Sequence, residues 1–454
     1  MTRTTKSNFA SHAGFNSPWN PSGDRSGDRL GDRSDNASIQ NKRRNFLKSA
    51  AATGAIATTL PLSSALASAF SAQSGNESAS STEGAYAGPQ LNIGIIGVGS
   101  RGAGIASVLN DVPGMKVSAI CDTLDFRLQA AKAYIKHEGY KSYTDFRQLL
   151  DDKGIDAVVI ASPFSMHANM AKAAAQAGKA IYCEKTLSYG IDETRELAKA
   201  VSSSGVIFQT GHQHRNSPLV QQVRNYVRDG YLGKVIKIES QWNRNNNWRR
   251  TVPDPALERQ INWRMYREYS GGLAAELCSH QIDFVNWITD SHPTRVMGMG
   301  GIDYWKDGRE TYDNVNILTE YDTGLKASYT SLTSNTKDHR RMTLLGDKGS
   351  IVMYDDKAYV YSETRPEDLA GAVVDGVSGA TMKAWQQQKG VAIDADGQDS
   401  TAYALAAFRD AIVEQKQPIS SLKSGAQTAV VVQMALDAMD SGNTQHWRKD
   451  YDFV

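Results

Sequence analysis

Cysteine is nearly absent: the 454 residues hold three, Cys121, Cys183 and Cys278, far apart and in no CxxC pair. Such spacing argues against a cysteine-built zinc site and against a disulfide scaffold. The expectation is three reduced thiols, mostly buried as small hydrophobes, and no bound metal. Charge of either sign in excess is absent too, since 50 Lys and Arg stand against 49 Asp and Glu, a formal net charge of +1. A nucleic-acid binder would show a basic excess or stripe, and an anionic membrane surface would need a basic cluster to hold it. No apolar run reaches the ~20 residues of a stable membrane span. What remains is a chain with 40% hydrophobic residues, too long for one ordinary core, so two packed domains are expected after processing.

The first ninety residues do not read as part of the fold. Residues 1–40 are polar and carry a short tetrad repeat, Gly23-Asp24-Arg25-Ser26, Gly27-Asp28-Arg29-Leu30, Gly31-Asp32-Arg33-Ser34. They bury too little apolar surface to offset chain entropy, which predicts disorder. Lys42-Arg43-Arg44-Asn45-Phe46-Leu47-Lys48 follows, then a weakly apolar Ala/Thr/Ser-rich run, then Ala65-Leu66-Ala67 and Ala67-Ser68-Ala69. In that order these pieces resemble a twin-arginine export signal with an Ala-x-Ala cleavage site; a plain basic patch before a helix is the bland alternative. The organisation predicted is a disordered leader and signal over 1–69 and a Ser/Gly/Ala linker over 70–89.

From residue 90 the pattern becomes regular. Leu91-Asn92-Ile93-Gly94-Ile95-Ile96 reads as a buried strand and runs into Gly97-Val98-Gly99-Ser100-Arg101-Gly102, a GxGxxG that opens a helix. A second strand, 115–121, ends at Asp122. In a dinucleotide site Gly97 permits the tight turn, Gly99 lets backbone approach the diphosphate, and Gly102 lets helix and strand pack closely. Ser100 and Arg101 share that turn. Asp122 lies about 20 residues beyond the last glycine, where an acid binds the adenosine ribose. No arginine adjoins it to hold a 2′-phosphate, which favours NAD over NADP. Strands at 155–161, 180–183 and 206–210 alternate with helices at 166–176 and 192–202. The fold class is therefore α/β: a doubly wound parallel Rossmann sheet over 90–212. Ligands bind beyond the carboxyl ends of such strands. That places Ser162-Pro163, His167, Glu184-Lys185 and Gly211-His212-Gln213 at the cleft.

A second constellation lies in Gly271-Gly272-Leu273-Ala274-Ala275-Glu276-Leu277-Cys278-Ser279-His280-Gln281-Ile282-Asp283. Read as one helix, it sets Glu276, His280 and Asp283 at i, i+4 and i+7 on a shared face. Loss of a hydroxyl proton during hydride transfer suits a histidine at neutral pH. A lysine ammonium beside the same oxygen stabilises alkoxide charge and can relay the proton. The predicted catalytic residues are His280 as base, Lys185 as stabiliser and relay, and Glu276 as substrate holder; Lys185 and His280 can exchange roles. Cofactor contacts are expected from Gly97, Gly99, Ser100, Arg101, Gly102, Asp122, Ser162, His167 and Glu184. Substrate contacts are expected from His212, Gln213, Arg215, Trp263, Arg264 and Asp283. Trp242, Asn243, Arg244 and Trp248 are softer candidates for sugar stacking and hydroxyl recognition.

With these residues in view, the chain from about Leu91 onward resembles the Gfo/Idh/MocA family: glucose-fructose oxidoreductases, inositol dehydrogenases and relatives. The resemblance rests on the GxGxxG start, Ser162-Pro163 with His167, Glu184-Lys185, and the Gly-Gly-x3-acid-x3-His-x2-Asp helix. It implies that the motif lysine and the helix acid and histidine are catalytic, here Lys185, Glu276 and His280. Two departures stand out: Thr186 replaces the proline after Glu-Lys, which should loosen the turn that positions Lys185, and Glu276 replaces the commoner Asp.

Consecutive strand patterns from 234 to 354 and the turn Asp322-Thr323-Gly324 predict a substrate and dimerisation domain over 213–425, α+β with an open, mainly antiparallel sheet. The resemblance implies that the outer sheet face forms a homo-oligomer contact. A C-terminal helix and tail, 426–454, is expected to return to the Rossmann domain. The resemblance implies an NAD-dependent oxidoreductase acting on a secondary hydroxyl of a sugar or glycoside, with C3 a candidate carbon, and an exported enzyme finds little free NAD in the periplasm. Its cofactor is held tightly and recycled. A redox-neutral NAD-dependent glycosidase and an inactive NAD-binding protein are the alternatives. The expected partner is a small carbohydrate, not nucleic acid and not a membrane.

Overall fold

The computed structural model describes residues 86–363, 390–395 and 399–453. The expected leader, export signal and most of the linker lie outside the described residues.

Six parallel strands form the first sheet: β1 (Leu91–Ile96), β2 (Met115–Cys121), β3 (Lys141–Tyr143), β4 (Ala157–Ile160), β5 (Ala180–Cys183) and β6 (Phe208–Thr210). Their order is β3-β2-β1-β4-β5-β6, so the winding reverses between β1 and β4 and opens a crevice there. The central strands are near-continuous apolar runs because helices cover both faces. Ile93, Ile95, Val158 and Val159 are wholly buried. The edge strand β3, Lys-Ser-Tyr, escapes a reading by apolar pattern because it is three residues long and exposed.

Among the described residues the second sheet has nine strands: β7 (Val235–Trp242), β8 (Pro293–Gly301), β9 (Asn314–Tyr321), β10 (Lys326–Leu332), β11 (Arg340–Gly346), β12 (Gly349–Met353), β13 (Ala358–Ser362), β14 (Val391–Ile393) and β15 (Gln445–His446). The order is β14-β13-β12-β11-β7-β10-β9-β8-β15. All pairs are antiparallel except β7 with β10. Inward residues such as Ile238, Val296, Ile317, Tyr329 and Leu344 meet Ile282 and Val285 of the helix Ser279–Thr289 and Val430 and Met434 of the helix Leu422–Ser441 in one core. The alternation leaves Met297, Met299 and Leu318 exposed on the other face.

Two long helices depart from the expected division. Ser400–Glu414, placed by sequence in the substrate domain, packs on the Rossmann sheet: Ala404, Leu405 and Phe408 join Ile93, Ile105 and Tyr182 in its core. Gln209 Nε2 donates to Ala404 O at 2.7 Å, and Thr210 N to Ser420 O at 2.8 Å. Leu422–Ser441, expected to return to the Rossmann domain, does touch the Rossmann helix Ile191–Ser204, and it also packs on β8 and Ser279–Thr289 of the second domain. Its apolar residues run all round, so it packs on both sides. The three cysteines are free and buried, and burial pushes the Cys121 and Cys278 thiols up to about 12.

Candidate active site

The glycine turn after β1 is shaped as the sequence requires. Gly97 has φ +89°, and a Cβ there would lie 2.8 Å from the Ala161 carbonyl. A Cβ on Gly102 would lie 1.9 Å from the Gly97 oxygen. Gly99 differs, because a Cβ there would meet only Arg127, at 3.5 Å. Its openness serves something other than packing, as close approach of a ligand to the backbone would. The helix Ser100–Leu109 starts here with no side-chain cap, and its first amides face a groove of about 1080 Å³ lined by Gly97, Gly99, Ser100, Arg101, Asp122 and Ser162. Free amides at a helix N-terminus suit a diphosphate. These residues fit a dinucleotide.

Asp122 is buried, and its carboxylate accepts from Val98 N and Leu124 N, each at 3.0 Å. It thus braces the glycine turn as well as lining the groove. Arg127, unforeseen from sequence, lies 3.5 Å from it. No arginine adjoins Asp122 in the chain, but one reaches back from a turn further along the helix Asp125–Ala130. Arg101 donates through Nε to Glu184 at 2.7 Å and through Nη1 to Thr401 at 3.2 Å. Its Nη2 is buried with no hydrogen-bond partner among the described residues.

A second cavity of about 570 Å³ adjoins the groove, and Arg101, Ala161, Ser162, Arg250, Trp263 and Arg264 line both. Lys185 from the Rossmann side and Glu276 and His280 from the second domain line this cavity. Lys185 Nζ donates to Glu276 O at 3.0 Å and lies 3.9 Å from Glu276 Oε2. The same Oε2 accepts from Arg264 Nε at 2.8 Å. Glu276 is therefore held between two cations rather than free to hold substrate. Burial alone would raise its carboxyl, but Lys185 and Arg264 outweigh this and keep it below its usual value. Burial lowers Lys185, against the opposing pull of Glu276 and Glu184. Burial, with His214 and Lys185 nearby, drives His280 well below the usual histidine value. A neutral His280 can accept a proton.

The helix carrying this site is not regular. Ala274–Cys278 is a π-turn, followed by the α-helix Ser279–Thr289. Such turns occur at functional sites, and this one breaks the expected shared face. Glu276 and His280 reach the cavity, whereas Asp283 points behind it. Asp283 receives Arg215 Nε and Nη2, both at 2.8 Å, and Thr428 Oγ1 at 3.3 Å. Arg215 and Asp283 thus form a buried tie between elements, not substrate contacts. A buried guanidinium needs such a carboxylate. His212 also stands behind the cavity, with Nδ1 2.9 Å from Thr210 Oγ1 and its ring 5.8 Å from that of His280. Of the expected substrate residues, Gln213, Trp263 and Arg264 line the cavity.

His167 lines the cavity, with Nδ1 2.8 Å from Thr186 O and Nε2 3.1 Å from Ser162 O; burial lowers the ring below its usual value, and a neutral imidazole donates to only one of these carbonyls. It sits between the turns after β4 and β5. Thr186 does not loosen its turn. Its hydroxyl donates to Ala275 O at 3.0 Å, which anchors the turn to the second domain. Trp242, Arg244 and Trp248 line the cavity wall, with Arg244 5.4 Å from the Trp242 ring, while Asn243 does not. Sequence reasoning passed over Asn246, Asn247, Arg249 and Arg250, which line it too. The signal available was the run Asn245-Asn246-Asn247-Trp248-Arg249-Arg250, dense in hydroxyl- and anion-binding side chains.

Residues 91–212 match the oxidoreductase family with an NAD-binding Rossmann fold, and 220–352 match the GFO/IDH/MocA C-terminal domain. The chain is 33% identical over 213 residues to the uncharacterised oxidoreductase YrbE of Bacillus subtilis, covering 46% of this chain and 57% of that one. It is 26% identical over 266 residues to the scyllo-inositol 2-dehydrogenase (NAD(+)) of the same organism, covering 58% and 73%. The fold is similar to that of a levoglucosan dehydrogenase solved with NADH and levoglucosan, with TM-score 0.65 and 19% identity, over 79% of this chain and 99% of that one. The glycine turn, the cavity-lining lysine and histidine, and these two family matches lead to one conclusion: the chain belongs to the Gfo/Idh/MocA oxidoreductases and carries an NAD-binding Rossmann domain.

Proposed function

We propose that the protein oxidises a secondary hydroxyl of a sugar or glycoside. The observation that carries this is the meeting of Lys185, Glu276 and His280, from two domains, in one cavity continuous with the dinucleotide groove. A dinucleotide held in the groove would supply the acceptor for the hydride leaving the hydroxyl-bearing carbon. His280, neutral at pH 7, takes the hydroxyl proton. Lys185, as ammonium, stabilises the oxygen as charge develops and can pass the proton onward. Glu276 orients Lys185 and Arg264 across the cavity mouth. Trp242, Trp248 and Trp263 supply flat apolar faces for a sugar ring, and Asn246, Asn247 and Gln213 supply amides for its hydroxyls.

The order of Lys42-Arg43-Arg44, an apolar run and Ala-x-Ala supports export by the twin-arginine route. Export removes the protein from the NAD pool, so cofactor recycling within the site belongs to the same reading, with C3 a candidate carbon. The exposed Met297, Met299 and Leu318 on the open sheet face support a homo-oligomer contact. The test is to denature the purified protein and identify the released cofactor, then to offer a panel of glycosides, including aryl glycosides, without added cofactor. Appearance of the reduced-nicotinamide band supports the oxidoreductase. Net aryl-glycoside cleavage with no reduced cofactor accumulating favours the redox-neutral glycosidase. Absence of bound dinucleotide contradicts both.

A further inference from the structure

The dinucleotide groove has a second wall that no glycine motif announces. Residues 250–264, which enter the second domain after β7, supply Arg250, Thr251, Pro253, Gln260 and Trp263 to it. This segment is stiffly held. Asn262, 2% exposed, takes both backbone groups of Arg250: Arg250 N donates to its Oδ1 at 2.7 Å, and its Nδ2 donates to Arg250 O at 3.0 Å. Asn262 also donates to Glu258 Oε2 at 2.9 Å, and Glu258 in turn receives Tyr266 Oη at 3.1 Å and Arg249. The backbone of Arg250 is thus fixed twice, while its side chain has no hydrogen bond or ion pair among the described residues. Its charged neighbours are cations: Arg264 and Arg127 both push its guanidinium down, after the effect of burial. Arg264 has Glu276 and Arg127 has Asp122, but Arg250 has no carboxylate. Further along, Gln260 Nε2 donates to Thr123 Oγ1 at 2.7 Å. Thr123 directly follows Asp122, so this bond joins the second domain to the Rossmann domain at the ribose end of the groove.

We propose that this segment is a retaining clasp for the dinucleotide, in which Arg250 binds the anionic diphosphate and the Gln260–Thr123 bond closes the groove beside the ribose. The proposal rests on the NAD-dependent reading above and gives it the retention that recycling requires. Three converging arginines with only two carboxylates call for an anion, and the doubly fixed backbone sets where the unpaired Arg250 guanidinium can reach for it. Both Arg250 and Gln260 are exposed, so their substitution should not disturb a core.

The experiment compares wild type with Arg250→Ala and Gln260→Ala after identical purification. Released NAD is quantified on denaturation, and the NADH release rate is followed by its fluorescence on dilution into excess NAD. Wild type is expected to carry dinucleotide through gel filtration. Arg250→Ala should release NADH about 10- to 100-fold faster, Gln260→Ala should release it severalfold faster, and Arg250→Lys should lie between Ala and wild type. Melting temperatures of the stripped proteins should agree. Variants that hold NADH as long as wild type overturn the clasp and leave the enzyme reading standing. A wild-type protein that neither carries nor binds dinucleotide overturns both.

Discussion

The helix Ser279–Thr289 separates two buried polar clusters that obey different rules. On one side Asp283 accepts two bonds from Arg215 and one from Thr428. On the other, one turn away, His280 has its Nδ1 buried with no hydrogen-bond partner among the described residues. Its surroundings are the rings of His212, His214 and Trp242, at 5.8, 5.1 and 5.4 Å. Burial is similar, 2% exposed for Asp283 and 8% for His280. A satisfied cluster is a structural joint. An unsatisfied one carries a cost that only a ligand or a reaction can return.

The contrast breaks if the chemistry survives on the unsatisfied side. Lys185→Ala and His280→Ala should each lower turnover by about 10²- to 10⁴-fold, with melting temperature unchanged or raised; steady-state kinetics beside calorimetry reads both. The opposite split is expected for Asp283→Ala, which strands a buried guanidinium. Denaturant unfolding should show a loss of about 3–5 kcal/mol, while the protein that remains folded keeps most of its kcat. A variant that loses both equally would merge the two clusters into one.

The histidines sharpen the comparison by pH. Burial drives His214 and His280 well below the usual value. Below about pH 6.5 the unfolded chain takes up protons on these rings and the folded chain does not. Stability should therefore fall with acidification through that window, by about 1.4 kcal/mol per pH unit for each ring, and level off only below the folded values. A urea-unfolding series with and without His214→Gln reads the slope. A smaller effect is expected at Thr186→Val, which removes the bond to Ala275 O. It should cost about 1 kcal/mol and a few degrees of melting temperature, with little change in the NADH release rate.

Much of this arrangement was legible in the residues. The parallel half announces itself because its strands are buried on both faces and its turn admits only glycine at Gly97 and Gly102. Lys185, Glu276 and His280 were legible as a residue set, and the structure puts them in one cavity. The shared face of Glu276, His280 and Asp283 was not, because a π-turn at Ala274–Cys278 follows no apolar period. Nor were the tie of Arg215 to Asp283 and the bridging role of His167, since both depend on which chain-distant group arrives opposite. The helix Ser400–Glu414 carries a plain apolar stripe that fits either domain, and only tertiary packing decides. The clasp residues Arg250 and Gln260 lie in a loop with no period at all, where residue type hints at ligand chemistry but not at location.

The most direct test mixes the cofactor-loaded protein with the glycoside panel in a single turnover and follows the reduced-nicotinamide band in wild type, Lys185→Ala and His280→Ala. The account predicts a rapid rise for at least one glycoside in wild type and a rise slower by about two orders of magnitude or more in both variants. A rise of equal speed in either variant would show that the proton leaves by another route and would contradict the site described.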